Sequence, residues 1–157
     1  LTLAGRLAEV AGGTLDYRLD EAAAAPFVAQ LLLPVADCIP VLAVDDNTDT
    51  LALLARYLGG TPYRFTGTAD PKTALSLAVE THPAAIILDV MLPGIDGWEL
   101  LSQLREHPQL ERVPFLISTI LPYGELASAL GAAEFLPKPV SREALITALD
   151  RQVRRRS

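Results

Sequence analysis

From Val41 onward, short apolar runs alternate with stretches whose apolar residues recur every three or four positions. The runs are "VLAV" (41–44), "YRFT" (63–66), "AAIIL" (84–88), "PFLIS" (114–118) and "AEFL" (133–136), each of strand length. The first helical stripe is Leu51, Leu54, Ala55 and Leu58, closed by Gly59-Gly60. The second is Ala74, Leu77 and Ala78, with Asp70 as N-cap and Pro71 at the first helical position. A third helix opens near Asp96-Gly97 and carries Trp98, Leu101 and Leu104–Arg105 before Pro108. A short one around Glu125–Leu130 ends at Gly131, and Ser141 caps a last one with Leu145, Ala148–Leu149 and Val153 facing inward. Five strands interleaved with five helices predict an α/β fold, an open doubly wound parallel sheet covered on both faces. The unbroken run at 84–88 marks a central strand. Ligands of such sheets gather at the carboxyl ends of the strands.

The first 36 residues do not share this rhythm. Leu3, Leu7 and Val10 predict a helix stopped by Gly12-Gly13, and "TLDYRL" and "PFVAQLLL" predict a hairpin joined through "DEAAAA". A helix and one hairpin bury too little to stand alone. The piece either packs on the neighbouring domain or belongs to a larger sheet. The expected division is a segment 1–36, a proline-marked linker 37–40, a domain 41–153 and a basic tail 154–157.

Composition narrows the function. The chain of 157 residues is half hydrophobic, enough for a real core, and carries a net charge of −6 with a sequence pI of about 4.8. That balance argues against direct nucleic-acid binding, which needs a basic face. The terminal "RQVRRRS" reads as a solvated helix end. Cys38 is the only cysteine, so no intrachain disulfide forms and a reducing cytoplasm is expected. The longest apolar run, "AAAAPFVAQLLLPVA", is interrupted by Pro26, Gln30 and Pro34 and falls short of the ~20 residues that span a bilayer. No signal peptide is visible, so no membrane partner is expected, and Leu1 in place of Met suggests a piece of a longer protein.

The chemistry lies at the strand ends. Asp45 and Asp46 follow the first strand and Asp89 follows the third, so the fold gathers three carboxylates at one edge. Unneutralised they repel one another, and a hard cation that favours oxygen, Mg2+, relieves this. Thr119 ends the fourth strand with a hydroxyl, and Lys138 follows the fifth with an ammonium. Carboxylate, cation, hydroxyl and ammonium together form a phosphoryl-transfer site, with Asp89 as nucleophile. Taken singly, each residue has a plainer role: Asp45 and Asp46 as helix caps, Asp89 as a turn former, Thr119 and Lys138 as surface groups.

The motifs "VDD" (44–46), "LDVMLPGIDGWEL" (88–100), Thr119 and "LPKPV" (136–140) resemble, in order and spacing, the receiver domain of two-component response regulators. The resemblance spans about 41–153 and implies a flavodoxin-like sheet of order 2-1-3-4-5, Mg2+, and phosphorylation of Asp89 by a phosphohistidine on a histidine kinase or histidine-phosphotransfer protein. It implies that Asp46 binds the metal directly, Asp45 partly through water and Met91 through its backbone carbonyl. It also implies a cis bond before Pro139 and a switch in which Thr119 and Phe135 turn together. Phe135 as plain core filling stays open. Hydrolysis of the acyl phosphate should be slow, because Met91 and Leu121 offer nothing to orient water.

Three departures stand out. Ile120 follows the hydroxyl residue where the family usually has alanine, and its bulk is expected to narrow access to Asp89. Ser118 precedes Thr119, so a one-residue slip would make it the donor; strand length from Pro114 favours Thr119. The stretch from Thr119 to Lys138 is short and has Pro122 near its start. More weakly, residues 1–36 are similar to the end of a histidine-kinase ATPase domain, without that family's nucleotide loops. This implies the rear part of a hybrid kinase, the alternative being a hairpin that dimerises through its edge. Two other functions compete: a pseudo-receiver that binds partners without phosphorylation, and an aspartyl hydrolase of the haloacid-dehalogenase type, disfavoured because Met91 stands where a second aspartate belongs. His82 and His107 each precede a proline at a helix end and read as solvent-facing.

Overall fold

A computed structural model describes residues 3–19, 27–32, 38–120 and 132–154. Within Cys38–Ser157 the five apolar runs become β3 (Ile39–Val44), β4 (Tyr63–Thr68), β5 (Ala85–Leu88), β6 (Phe115–Thr119) and β7 (Glu134–Pro137). They pair in parallel in the order β4-β3-β5-β6-β7, which is 2-1-3-4-5 counted from the first strand of this sheet. Among the described residues four helices connect or follow them: α2 (Thr48–Leu58), α3 (Ala74–Thr81), α4 (Gly97–Glu106) and α5 (Arg142–Arg154). The expected flavodoxin-like sheet is therefore present.

Strand alternation divides the core into two layers. Leu42, Val44, Ile86, Leu88, Phe115 and Ile117 face α3 and α4, packing on Ala74, Ala78, Leu101 and Leu104. Val41, Ala43, Ala85, Ile87, Leu116 and Leu136 face α2 and α5, packing on Leu54, Leu58, Leu145 and Leu149. Each central strand alternates between the two layers and is buried on both sides, which is why its sequence reads as an unbroken apolar run.

The structure shifts some expected boundaries. Ile39 and Pro40, read as linker, open β3, with the Pro40 carbonyl accepting from the Ala84 N–H. Asp70 and Pro71 start a 3-10 turn (Pro71–Thr73) rather than an α-helix: Asp70 accepts from the Lys72 N–H, and α3 begins only at Ala74. Arg154, placed in the basic tail, is the last residue of α5. The expected helix around Glu125–Leu130, with Leu121 and Pro122 before it, lies outside the described residues.

The second unit, Leu1–Asp37, holds α1 (Leu3–Val10), β1 (Thr14–Leu19) and β2 (Phe27–Leu32). The strands pair antiparallel from Thr14↔Leu32 to Leu19↔Phe27, so the expected helix and hairpin both form. Gly12, at φ 72°, turns the chain out of α1. Leu3, Leu7, Val10, Tyr17, Phe27 and Leu31 remain exposed. Among the described residues no helix is long and apolar enough to cross a membrane.

Candidate functional site

Asp45 is the first residue past β3, its N–H still held by the Thr68 carbonyl at 3.2 Å. Its Oδ1 accepts from the Asn47 N–H at 2.9 Å. Asn47 in turn caps α2, its side chain accepting from the N–H groups of Asp49 and Thr50. The helix cap is thus Asn47, and the capping role considered for Asp45 and Asp46 is already filled. Asp46 lies between strand end and cap with its side chain in solvent.

Asp89 is held in the same way one strand over. Its N–H donates to the Val44 carbonyl at 2.9 Å, and its Oδ1 accepts from the Met91 N–H at 2.8 Å, closing an Asx turn. The residue is 5% exposed. The turn then runs through Gly94 (φ 73°) to Asp96, which caps α4 by accepting from the Trp98 N–H. The first residue of α4 lies directly on this turn, for a Cβ at Gly97 would sit 2.3 Å from the Val90 Cα.

Lys138 follows β7, its N–H on the Thr119 carbonyl at 3.1 Å, and its bond to Pro139 is cis. Its Nζ reaches Asp45 Oδ2 at 2.7 Å and Asp89 Oδ2 at 2.5 Å. Burial works against the ammonium, but the hydrogen bonds and charges of Asp45 and Asp89 outweigh it, so the Lys138 pKa lies above its ordinary value.

Carboxylate oxygens of Asp45, Asp46 and Asp89 all lie within 4.8 Å of one another. Three carboxylates facing one ammonium leave two negative charges uncompensated in a largely buried pocket. A set of hard oxygen donors with net negative charge suits a divalent cation such as Mg2+, so the residues fit that ion.

Thr119 is fully buried at the end of β6 and follows the alternation onto the α3/α4 side, where Phe135 packs half-buried. Ile120 is 70% exposed and lines an apolar groove of about 310 Å³ with Thr50, Leu53, Leu54, Lys138, Pro139 and Val140. Met91 is half exposed. Of the two histidines, His82 is exposed and His107 half-buried. Two features escaped sequence reasoning: the close approach that demands glycine at 97, and the buried state of the Ser118 hydroxyl.

The family model for the response regulator receiver domain matches residues 41–150. The chain belongs to the response regulator receiver family. Among curated proteins this receiver is 35% identical over 103 residues to Response regulator PleD of Caulobacter vibrioides, covering 64% of this chain but only 23% of PleD. Among solved structures it superposes on the chemotaxis response regulator CheY4 of Vibrio cholerae with a TM-score of 0.68 at 30% identity, covering 73% of this chain and 98% of that one. It also matches the receiver domain of a sensor histidine kinase from Pseudomonas aeruginosa PAO1, solved with magnesium coordinated in its active-site cleft. There the TM-score is 0.67 at 28% identity, over 74% of this chain and 98% of that one. The chain thus spans less than a quarter of the length of PleD.

Proposed function

We propose that this receiver is the phosphoacceptor of a two-component relay, with Asp89 taking a phosphoryl group from a phosphohistidine on a histidine kinase or histidine-phosphotransfer protein. The observation that carries the reading is the acidic trio with Lys138 bonded to two of its members. An Asp89 carboxylate oxygen attacks phosphorus as the P–N bond breaks, and the imidazole nitrogen leaves with the electron pair. Asp45, Asp46, Asp89 and the Met91 carbonyl would hold Mg2+, which when bound supplies charge neutralisation at the phosphoryl oxygens. Lys138 keeps a positive charge beside Asp89, and its raised pKa keeps it protonated throughout the neutral range. Thr119 and Phe135, on the same side of the sheet, are the pair that carries the change outward.

Incubation with acetyl phosphate tests this. Magnesium-dependent labelling of the wild type, absent in Asp89→Asn, is expected. No label under any donor, or equal label in Asp89→Asn, would instead favour a binding module that works without phosphorylation. The kinship with a receiver taken from a sensor histidine kinase, beside the helix and hairpin at 3–32, supports a place in a hybrid kinase.

A further inference from the structure

β6 ends in two adjacent hydroxyls, and the proposed function uses only Thr119. Ser118 is 1% exposed, and its Oγ has no hydrogen-bond partner among the described residues. Buried hydroxyls are nearly always paired, so one left bare in a well-packed sheet calls for a cause.

The register shows what lies around it. β5 and β6 pair Leu88 with Ile117, so the next residues, Asp89 and Ser118, stand opposite each other. Both continue the alternation on the α2/α5 side, because Ile87 and Leu116 belong to that layer. Lys138 stands on this side too, lining a groove with Leu53 and Leu54 of α2. It comes from β7, yet it bonds Asp89 beyond β5, and β6 lies between those strands. The lysine must therefore cross β6 on the face that carries the Ser118 side chain. Its ammonium has three protons and gives two of them to Asp45 Oδ2 and Asp89 Oδ2.

Resting on the reading of Asp89 as phosphoacceptor, we propose that Ser118 is a positioning residue whose hydroxyl becomes bonded only when Asp89 carries a phosphoryl group. In the free state the lysine occupies Asp89 Oδ2. Acylation moves negative charge outward onto the phosphoryl oxygens, and the ammonium follows that charge. The Ser118 O–H, opposite Asp89 in register, then donates to the carboxyl oxygen that Lys138 has left. One hydrogen bond gained in the phosphorylated state alone corresponds to about a fivefold shift of the equilibrium toward it.

The test uses the whole chain and beryllofluoride, which mimics a phosphoryl group on a carboxylate, with Mg2+ present. Wild type, Ser118→Ala and Ser118→Thr are titrated while the thermal midpoint is followed. Without beryllofluoride, Ser118→Ala should unfold at the wild-type temperature or above, since it loses only an unpaired hydroxyl. Its half-saturating beryllofluoride concentration should rise about fivefold, and Ser118→Thr should restore the wild-type value. If the serine only fills space, alanine lowers the midpoint without beryllofluoride and leaves half-saturation unchanged; that result overturns the proposal. A wild type that neither binds beryllofluoride nor takes label from acetyl phosphate overturns the phosphoacceptor reading together with this one. A wild type that does both, alongside an unaltered Ser118→Ala, overturns this one alone.

Discussion

Lys138 shows how much one side chain settles. Its ammonium lies between two buried carboxylates and, as their only described ion-pair partner, keeps them from facing each other bare. Because its folded pKa is raised, its contribution is complete below the unfolded value near ~10.4 and fades as pH climbs through the folded value. Lys138→Met should therefore cost about 2 kcal/mol at pH 8, less than a fully buried pair would because the ammonium is partly in solvent. The gap to wild type should narrow at pH 11, as read from urea midpoints. A gap that stayed constant across that range would mean the lysine acts through packing alone. The three acids and the ammonium that the structure brings together stood out in the sequence because each follows a strand, and strand ends are legible. What could not be read was side-chain pairing, such as the bare Ser118 hydroxyl, since adjacent hydroxyls on one strand differ only in the face they take.

At the scale of elements, the site depends on how α4 docks against the residue after β5. A methyl group at 97 would collide with the backbone Cα, C and O of Val90, which no rotamer change can relieve. Gly97→Ala should thus destabilise the receiver by about 3 kcal/mol and loosen the Asx turn that aims Asp89. Thermal denaturation checks the first part. The second predicts acetyl-phosphate labelling slower than in wild type at a temperature where both are folded. The sequence showed a turn here through Pro93, Gly94 and Gly97, but not that one of its glycines serves contact rather than backbone freedom. Other misreadings had similar causes. Pro40 looked like linker because proline cannot donate to a ladder, yet the end of a strand tolerates it. Asp70-Pro71 carries the signature of a helix start, and the local turn it opens is satisfied by the 3-10 geometry before α3 begins.

On the scale of the whole chain, the two units differ in how they meet the cost of ordering a backbone. Among the described residues, both core layers of the receiver are built from Ile39 onward, a set large enough to supply a hydrophobic core of its own. CheY4 and the kinase receiver from Pseudomonas, each covered to 98% by this chain, lead to the same expectation. Leu1–Asp37 is the reverse case. Among its described residues the one buried core residue is Ala8, while Leu3, Leu7, Val10, Tyr17, Phe27 and Leu31 stay exposed. With fewer than ~40 residues and no disulfide to brace it, such a piece lies below the size at which chains fold unaided. A fragment of residues 38–157 should then show a single cooperative thermal transition and keep its magnesium-dependent labelling. A peptide of residues 1–37 should show a circular-dichroism spectrum without stable helix or sheet. Folding of that peptide alone would mean that the exposed apolar face needs no cover, and failure of the longer fragment would mean that the receiver's core borrows from the residues before it.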